Sequence, residues 1–197
     1  MSCIEGPSLR LRVATADDAA ARFSLGHSPD IVRMFGVSHA DQKPMTMEAA
    51  AAWALGQSSD PNAWIIEVGG RLIGEIKLHS INTQDRRASM AIAIYDSLLL
   101  GNGFGSEAIR LLLHHAFTQL NLHRIGVRVL AYNGRAIRAY QKCGFVVEGR
   151  ERETAFVDGV WHDDLMMGIL SREFHQHCRG ETSAQSREQT SSDCPPD

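Results

Sequence analysis

The chain has 197 residues, of which 44% are hydrophobic, and its formal net charge is −3; a single globular domain of this size can fill its own core. The basic residues are scattered rather than clustered, which excludes the charged surface typical of a nucleic-acid-binding protein. Because no apolar run approaches the roughly 20 residues that cross a bilayer, and no charged segment followed by an apolar core opens the chain, we expect a cytoplasmic protein without a membrane partner.

The first third of the chain predicts one strand followed by three helices. Alternating apolar and basic residues predict a strand over 9–13, and we expect the Thr15 hydroxyl to cap the helix that follows. Pro29 begins a second, short helix. Thr46 is expected to cap an alanine-rich helix over 47–57.

The middle and end of the chain predict two hairpins around a region where strands and helices alternate. Gly-Gly at 69–70 and Asp-Gly at 158–159 suit two-residue hairpin turns, because both tolerate positive backbone angles. The predicted strands are 63–68, 71–79, 88–95, 124–130, 145–157 and 160–169, and the predicted helices are 105–117 and 136–142.

This order of elements predicts an α/β (α+β) domain with a mixed, mostly antiparallel central sheet. About seven strands are expected, with helices on both faces and parallel pairing where a helix crosses over. The domain is expected to span residues 1–174. From 175 to 197 the chain is polar and poor in large apolar residues, which predicts a disordered tail because little surface can be buried.

The segment GNGFGS at residues 101–106 is the strongest chemical feature. Three alternating glycines between a strand and a helix let backbone N–H groups converge on a ligand, and the helix dipole adds positive potential there. These properties predict a pyrophosphate site. Neither of two known nucleotide-binding motifs is present. In a dinucleotide-binding fingerprint the third glycine comes one residue later, and an acidic residue is needed where this chain has Asn121. A P-loop requires a lysine, which this segment lacks. A flexible glycine-rich loop without a ligand is the remaining alternative.

Five motifs in fixed order make the chain resemble the GNAT superfamily of N-acetyltransferases over about 9–170. They are RLIGEI at 71–76, GNGFGSEA at 101–108, LHRI at 122–125, Asn133 with RAIRAYQKCGF at 135–145, and DGVWHD at 158–163. Within the superfamily the resemblance is to the branch that includes the ribosomal-protein alanine acetyltransferases.

The resemblance implies acetyl-CoA as cosubstrate and assigns residues to it. Backbone N–H groups of the turn would hold the CoA pyrophosphate, and the preceding strand would pair with the pantetheine arm as an added strand. Asn133 matches a pantetheine-binding position and Tyr140 matches the residue that protonates the leaving thiolate. Leu100 departs from the family, which usually has Gln or Arg there, so one phosphate contact is either missing or supplied by another residue. The assigned cofactor residues are Ile92, Ala93, Ile94, Gly101, Asn102, Gly103, Phe104, Gly105, Ser106, Asn133 and Tyr140.

Two side chains are the candidates for acid and base catalysis. Attack on a thioester needs a neutral amine, whose conjugate acid has a pKa near ~10 in water, so a base must remove a proton. Glu75 on a central strand is the candidate for a base or a substrate anchor, unless its side chain faces solvent. Tyr140 is the candidate acid, unless it only packs on the sheet. The acceptor is expected to be a small-molecule amine or a peptide N-terminus.

The cysteines, the histidines near the C-terminus and Trp161 indicate no specific function. Cys3, Cys143, Cys178 and Cys194 lack the spacing of a disulfide framework, and neither they nor His175 and His177 predict a metal site. Trp161 on the last hairpin borders either the acceptor site or a dimer contact, so a homodimer is possible. The acceptor class stays open among protein N-termini, amino acids, polyamines and aminoglycosides, and a non-catalytic module that binds acyl-CoA as a sensor is the competing hypothesis.

Overall fold

The computed structural model describes residues 3–177. Its strands are β1 (Ile4–Glu5), β2 (Arg10–Arg12), β3 (Ala63–Val68), β4 (Arg71–Asn82), β5 (Arg87–Ile94), β6 (Arg124–Leu130), β7 (Val146–Val157) and β8 (Val160–Leu170). Its α-helices are α1 (Asp18–Leu25), α2 (Pro29–Arg33), α3 (Met47–Ser59), α4 (Phe104–Thr118) and α5 (Gly134–Lys142). Short 3₁₀ helices cover His39–Asp41 and Ser97–Leu99, and residues 171–177 are helical.

The eight strands form one mixed sheet, as predicted, in the order β1-β2-β3-β4-β5-β6-β8-β7. Only β5 and β6 are parallel, because α4 crosses over between them; β8 inserts antiparallel between β6 and β7. The predicted strands and helices are present, whereas β1 was not predicted. The helix at 171–177 runs three residues past the predicted end of the domain, and the rest of the predicted tail, 178–197, lies outside the described residues.

The predicted cap of α1 is wrong. Asp17 occupies the N-cap position without a side-chain bond. The Thr15 hydroxyl instead donates to the Asp18 carboxylate at 3.3 Å, and the Thr15 backbone N–H donates to the same carboxylate at 2.7 Å. A carboxylate is a stronger acceptor than a hydroxyl, so Asp18 reverses the expected direction of the bond. By contrast, Thr46 caps α3 as predicted, accepting from Ala49 N at 3.1 Å.

Helices cover both faces of the sheet. Neighbouring residues of a strand point to opposite faces, and Ile65 and Ile66 on β3 belong to two different apolar clusters. The cluster of Ile66 includes the buried side of α4 and Tyr140 of α5. The cluster of Ile65 includes Trp53 of α3 and side chains of α1. One face therefore carries α4 and α5, and the other carries α1 and α3.

The parallel pair β5 and β6 separates partway along its length. The register pairs Arg87 with Arg124, then the next two residues of each strand, and ends at Ser89 with Gly126. Beyond that point β5 continues to pair with β4 as far as Ile94, and β6 continues to pair with β8 as far as Leu130. A gap therefore opens in the middle of the sheet, with strand backbone on both sides.

A buried ion-pair network fixes α1 to the sheet. Arg12 on β2 donates two nearly equal hydrogen bonds to the Asp18 carboxylate, at 2.7 and 2.8 Å, and donates through Nε to Glu67 on β3. Both carboxylates are buried, 4% and 6% exposed respectively. Burial raises their pKa values, but the hydrogen bonds and charge of Arg12, together with hydrogen bonds from Thr15 to Asp18 and from Arg10 to Glu67, outweigh it and hold both pKa values below the usual range.

Removing Arg12 is expected to destabilise the fold. Arg12→Ala should lower the free energy of unfolding by about 3 kcal/mol, because it leaves the buried Asp18 without a cation and Glu67 with Arg10 alone; urea unfolding at pH 7 measures it. Carboxylates with lowered pKa values stabilise the fold above their unfolded pKa of about 4 and lose that contribution as pH falls. The variant should therefore lose less stability between pH 5 and 2 than the wild type.

The matched control is Arg10→Ala. Arg10 also bonds Glu67, at 2.6 Å, but its side chain is 46% exposed, and it does not reach Asp18. We expect a clearly smaller loss of stability for this variant. Equal losses for the two variants would contradict the assigned role of Arg12.

Candidate active site

The gap between β5 and β6 opens into a cleft of about 760 Å³. One wall is the end of β5 and the opposite wall is the end of β6, while α5 and the glycine turn close the sides. The cofactor residues predicted from the resemblance that line it are Ile92, Ala93, Ile94, Gly101, Gly103, Gly105, Ser106, Asn133 and Tyr140. The structure therefore brings residues from four separate segments to one place.

The glycine turn forms a cradle at the start of α4. Gly101 and Gly103 have φ angles of +84° and +89°, a region that side chains other than glycine rarely adopt. Gly103 caps α4 without any side-chain bond, and the first helical bond runs from Glu107 N to Gly103 O. The N–H groups of Phe104, Gly105 and Ser106 thus have no partner within the helix and carry the positive end of its dipole.

No atom lies within 4 Å of where a Cβ would stand at Gly101, Gly103 or Gly105. The cradle is open, and a phosphate can reach its backbone. Asn102 turns away from this opening, since its side-chain amide donates to Leu98 O at 3.3 Å.

Basic side chains of α5 stand across the cleft from the turn. Leu100 lines the cleft where the family usually has a polar or basic residue, but Arg135, Arg138 and Lys142 line it as well. All three cations are on one helix and face the same opening as the cradle. Positive charge for a ligand's phosphates is therefore present without a side chain at position 100.

Tyr140 is placed inside the cleft rather than at its rim. The side chain is 6% exposed, and its ring packs on Phe145 with centroids 5.5 Å apart. Burial, and to a lesser degree nearby Cys143, raises the pKa of Tyr140 to about 12. The phenol thus keeps its proton over the whole physiological range.

Asn133 has a structural role that the motif did not indicate. Its Oδ1 caps α5 by accepting from Ala136 N at 3.1 Å, and its Nδ2 lies 3.5 Å from Met34 O. The residue lines the cleft, so a contact with pantetheine stays a prediction, but its amide already orients the helix that carries Tyr140.

Glu75 faces a second, smaller pocket on the other side of the sheet. It pairs with Ile65 and with Ala93 across the neighbouring strands, which places its side chain on the face of α1 and α3. Its Oε2 accepts from Trp53 Nε1 at 2.7 Å and from Gln57 Nε2 at 2.5 Å. The carboxylate is therefore held in one orientation rather than pointing into solvent.

The smaller pocket has a volume of about 200 Å³ and adjoins the cleft. Ile31, Phe35 and Ala93 line both spaces, so the two meet beside the gap in the sheet. The smaller pocket is also lined by Arg22 of α1 and Tyr95 at the end of β5. A molecule in it would approach the gap from the face opposite to α4.

Sequence reasoning missed two residues that line this pocket, Arg22 and Tyr95, and two that hold Glu75 in it, Trp53 and Gln57. The spacing of Trp53 and Gln57, one turn apart on a helix, was the available signal, but nothing in the sequence indicates that this helix faces Glu75. Tyr95 follows directly after β5, and burial and the Glu75 carboxylate both raise the pKa of its hydroxyl.

The tip of the last hairpin fastens the loop that roofs the cleft. Asp158 accepts from Arg33 Nε at 3.0 Å and from His39 N at 2.8 Å, while Asp158 N donates to Ser38 Oγ at 2.9 Å. The backbone bond from His39, with the side-chain bonds, lowers the pKa of Asp158 to about 2. Phe35, between these anchors, lines both the cleft and the smaller pocket.

Trp161 lies on the outer part of the same hairpin. It is 57% exposed, and its ring packs 4.9 Å from that of Phe156, which lines the cleft. Whether Trp161 borders the acceptor or a second copy of the chain stays a prediction.

The described part of the chain contains no group of three or more His, Cys, Asp or Glu side chains placed to hold a metal. Within residues 3–177, no helix is both long and apolar enough to cross a bilayer. His177 Nε2 lies 3.1 Å from the Lys142 carbonyl oxygen, and Cys178 of the same sequence cluster lies outside the described residues.

Named relatives differ in what they act on. A spermidine N(1)-acetyltransferase of Vibrio cholerae is 38% identical over 103 residues, which is 52% of this chain and 59% of that protein. YdaF of Bacillus subtilis, provisionally named a ribosomal N-acetyltransferase, is 30% identical over 105 residues, 53% of this chain and 57% of that protein. The chain thus matches a little over half the length of these curated relatives. The narrower resemblance to the ribosomal branch stays a prediction.

Solved structures and a family model agree on the fold. The crystal structure of spermidine N-acetyltransferase from Vibrio cholerae in complex with CoA and spermine has a TM-score of 0.72 and 27% identity, covering 86% of this chain and 99% of that chain. The model described as "Acetyltransferase (GNAT) domain" matches residues 8–146, well over half of the chain. The protein therefore belongs to the GNAT family of acetyltransferases, as its motifs predicted.

Proposed function

We propose that this protein transfers the acetyl group of acetyl-CoA to a primary amine by direct attack, with Tyr140 and Glu75 assisting. The observation that carries the proposal is the meeting of two spaces at the gap between β5 and β6. The cleft with the glycine cradle and Tyr140 opens on one face, and the pocket with Glu75 opens on the other. A thioester from one side and an amine from the other would meet in the gap.

The cleft fits CoA in shape and charge. The cradle N–H groups at 104–106 suit the pyrophosphate, and Arg135 and Arg138 on α5 suit the remaining phosphate charge. Beyond Ser89 the β6 side of β5 has no strand partner, so its backbone is available to the amide groups of the pantetheine arm. This placement aims the thioester at Tyr140 and at the backbone of Ala93.

The amine attacks the acetyl carbon of the thioester directly. The amine nitrogen loses a proton, by way of the Glu75 carboxylate or a water that it orients, and forms a bond to the acetyl carbon. The carbon–sulfur bond then breaks, the nitrogen releases its second proton, and water passes a proton to the thiolate. Since the Tyr140 pKa of about 12 lies above the ~8.5 of a simple thiol, the phenol assists by hydrogen-bonding the sulfur while charge develops on it.

The cradle is tested by Gly103→Glu. The variant places a carboxylate where phosphate binds, so we expect the rise in melting temperature caused by saturating CoA to disappear. The matched control is Gly69→Glu in the β3–β4 turn. Gly69 also has a positive φ, +55°, and open space around it, so it carries the backbone strain without the phosphate conflict. Retained CoA stabilisation in Gly103→Glu would place the cofactor elsewhere.

Tyr140→Phe should lower kcat about a hundredfold or more and leave the Kd of acetyl-CoA nearly unchanged, since only the hydroxyl is removed. Thiol release under saturating substrates and calorimetric titration measure the two quantities. In the wild type, we expect kcat to show no fall between pH 7 and 10 from ionisation of Tyr140, because the raised pKa of this phenol keeps its proton bound. An unchanged kcat would remove Tyr140 from the mechanism.

Glu75→Gln distinguishes a base from a substrate anchor. As a base, Glu75 is needed most at neutral pH, where amines are protonated, so kcat/KM should drop about a hundredfold at pH 7 and recover toward pH 10. As an anchor it would raise KM at every pH. The exposed Glu48 on α3 provides the control, since Glu48→Gln alters the same charge away from the pocket. Wild-type kinetics in Glu75→Gln would exclude both roles.

A further inference from the structure

Arg22 is a buried cation whose hydrogen bonding is incomplete. The residue is 4% exposed and lines the smaller pocket. One guanidinium nitrogen donates to Gly26 O at 2.7 Å, whereas the buried Nε has no hydrogen-bond partner. The guanidinium carbon lies 3.9 Å from the centroid of the Tyr95 ring. A buried guanidinium needs an anion or a full set of acceptors to offset its lost hydration.

Arg12, unlike Arg22, has carboxylate partners. Arg12 lies on β2, is partly buried, and is neutralised by two carboxylates, Asp18 and Glu67. Within residues 3–177, Arg22 forms no ion pair with any carboxylate. Glu75 lines the same pocket, but its Oε2 is bonded to Trp53 and Gln57. The pocket thus presents one anion and one separate cation, both held in place.

We propose that the acceptor is a small molecule that carries a carboxylate as well as its primary amine, and that Arg22 binds the carboxylate. This inference rests on the proposed function. The amine would lie at Glu75 beside Ala93 and the gap, and the carboxylate would lie at Arg22 above the Tyr95 ring. Guanidinium–carboxylate bonds are among the strongest polar contacts, and the carboxylate itself is unchanged when the nitrogen is acetylated.

The volume and the lining of the smaller pocket suit an amino acid of moderate length. The pocket holds about 200 Å³, roughly the volume of seven liquid waters. Its other walls include the apolar side chains Ile31, Val32 and Phe35, which suit a hydrocarbon body. A polyamine, the substrate class of the Vibrio cholerae relative, would bring additional positive charge next to Arg22, and like charges in a confined space repel.

The test measures kcat/KM for acceptors that differ only in the carboxylate. Leucine is compared with 3-methylbutylamine, and 6-aminohexanoate with pentylamine, so that two spacings between amine and carboxylate are covered; spermidine is the third arm. We expect the wild type to favour at least one carboxylate-bearing acceptor over its partner amine and over spermidine by about tenfold or more, the factor that one hydrogen bond to a charged group supplies.

The variant Arg22→Met keeps an unbranched apolar side chain against Tyr95 and removes the charge. It should lower kcat/KM for the favoured carboxylate acceptor about tenfold or more and leave that of the matched amine within about threefold. A purely structural role for Arg22 would lower both equally and would overturn the inference. If Arg22→Met does not fold, the acceptor pairs on the wild type and on Arg22→Lys decide the question.

Failure of the inference is distinguishable from failure of the proposed function. Acetylation of spermidine or of the plain amines with no preference for a carboxylate would overturn the role of Arg22 and leave N-acetyl transfer standing. Absence of thiol release with every acceptor, peptides included, would overturn both.

Discussion

The separation of two parallel strands is the constraint on which the rest of the structure depends. Where β5 and β6 part after Ser89 and Gly126, each strand is left with an unpaired edge inside the sheet. An unpaired edge is normally a liability. Here α4, α5 and the loop at 34–38 enclose these edges, so that they border a cleft instead of open solvent. The glycine cradle lies beside the gap because α4, which forms the crossover, begins shortly after the end of β5.

The two faces of the sheet give the two substrates separate approaches. Side chains alternate along β5, so Ile92 and Ile94 pack toward α4 and α5 while Ala93 faces Glu75. Each space has its own electrostatics: helix-dipole N–H groups and basic residues of α5 on one side, and a fixed carboxylate with a buried guanidinium on the other. Through Asp18, the network of Arg12 holds α1 against the sheet, and the same helix carries Arg22 into the smaller pocket; under our proposal, one helix therefore serves both stability and acceptor specificity.

Most residues that the resemblance assigns to the cofactor meet in one cleft, whereas the sequence indicated little of the smaller pocket, for a physical reason. A phosphate cradle is made of backbone, and the glycines it requires at 101 and 103 are visible in the sequence because their positive φ angles exclude other residues. Tyr140 was assigned from the motif that resembles the family, and it lies on the helix that Asn133 caps. The smaller pocket instead joins Arg22 with Glu75, which Trp53 holds in place; these residues are far apart in sequence and meet only through the packing of α1 and α3 on the sheet. The cap of α1 was mispredicted because the Asp18 carboxylate, three residues further on, accepts from both the hydroxyl and the backbone N–H of Thr15, so the hydroxyl donates instead of accepting.

The most direct test is a crystal structure with CoA and an amino-carboxylic acid bound together. The account predicts the pyrophosphate on the N–H groups of 104–106, the sulfur in the gap between β5 and β6 beside Tyr140, and the amine on the Glu75 side of the same gap. CoA on another surface with the cradle empty, or an acceptor entering from the same face as the cofactor, would contradict it.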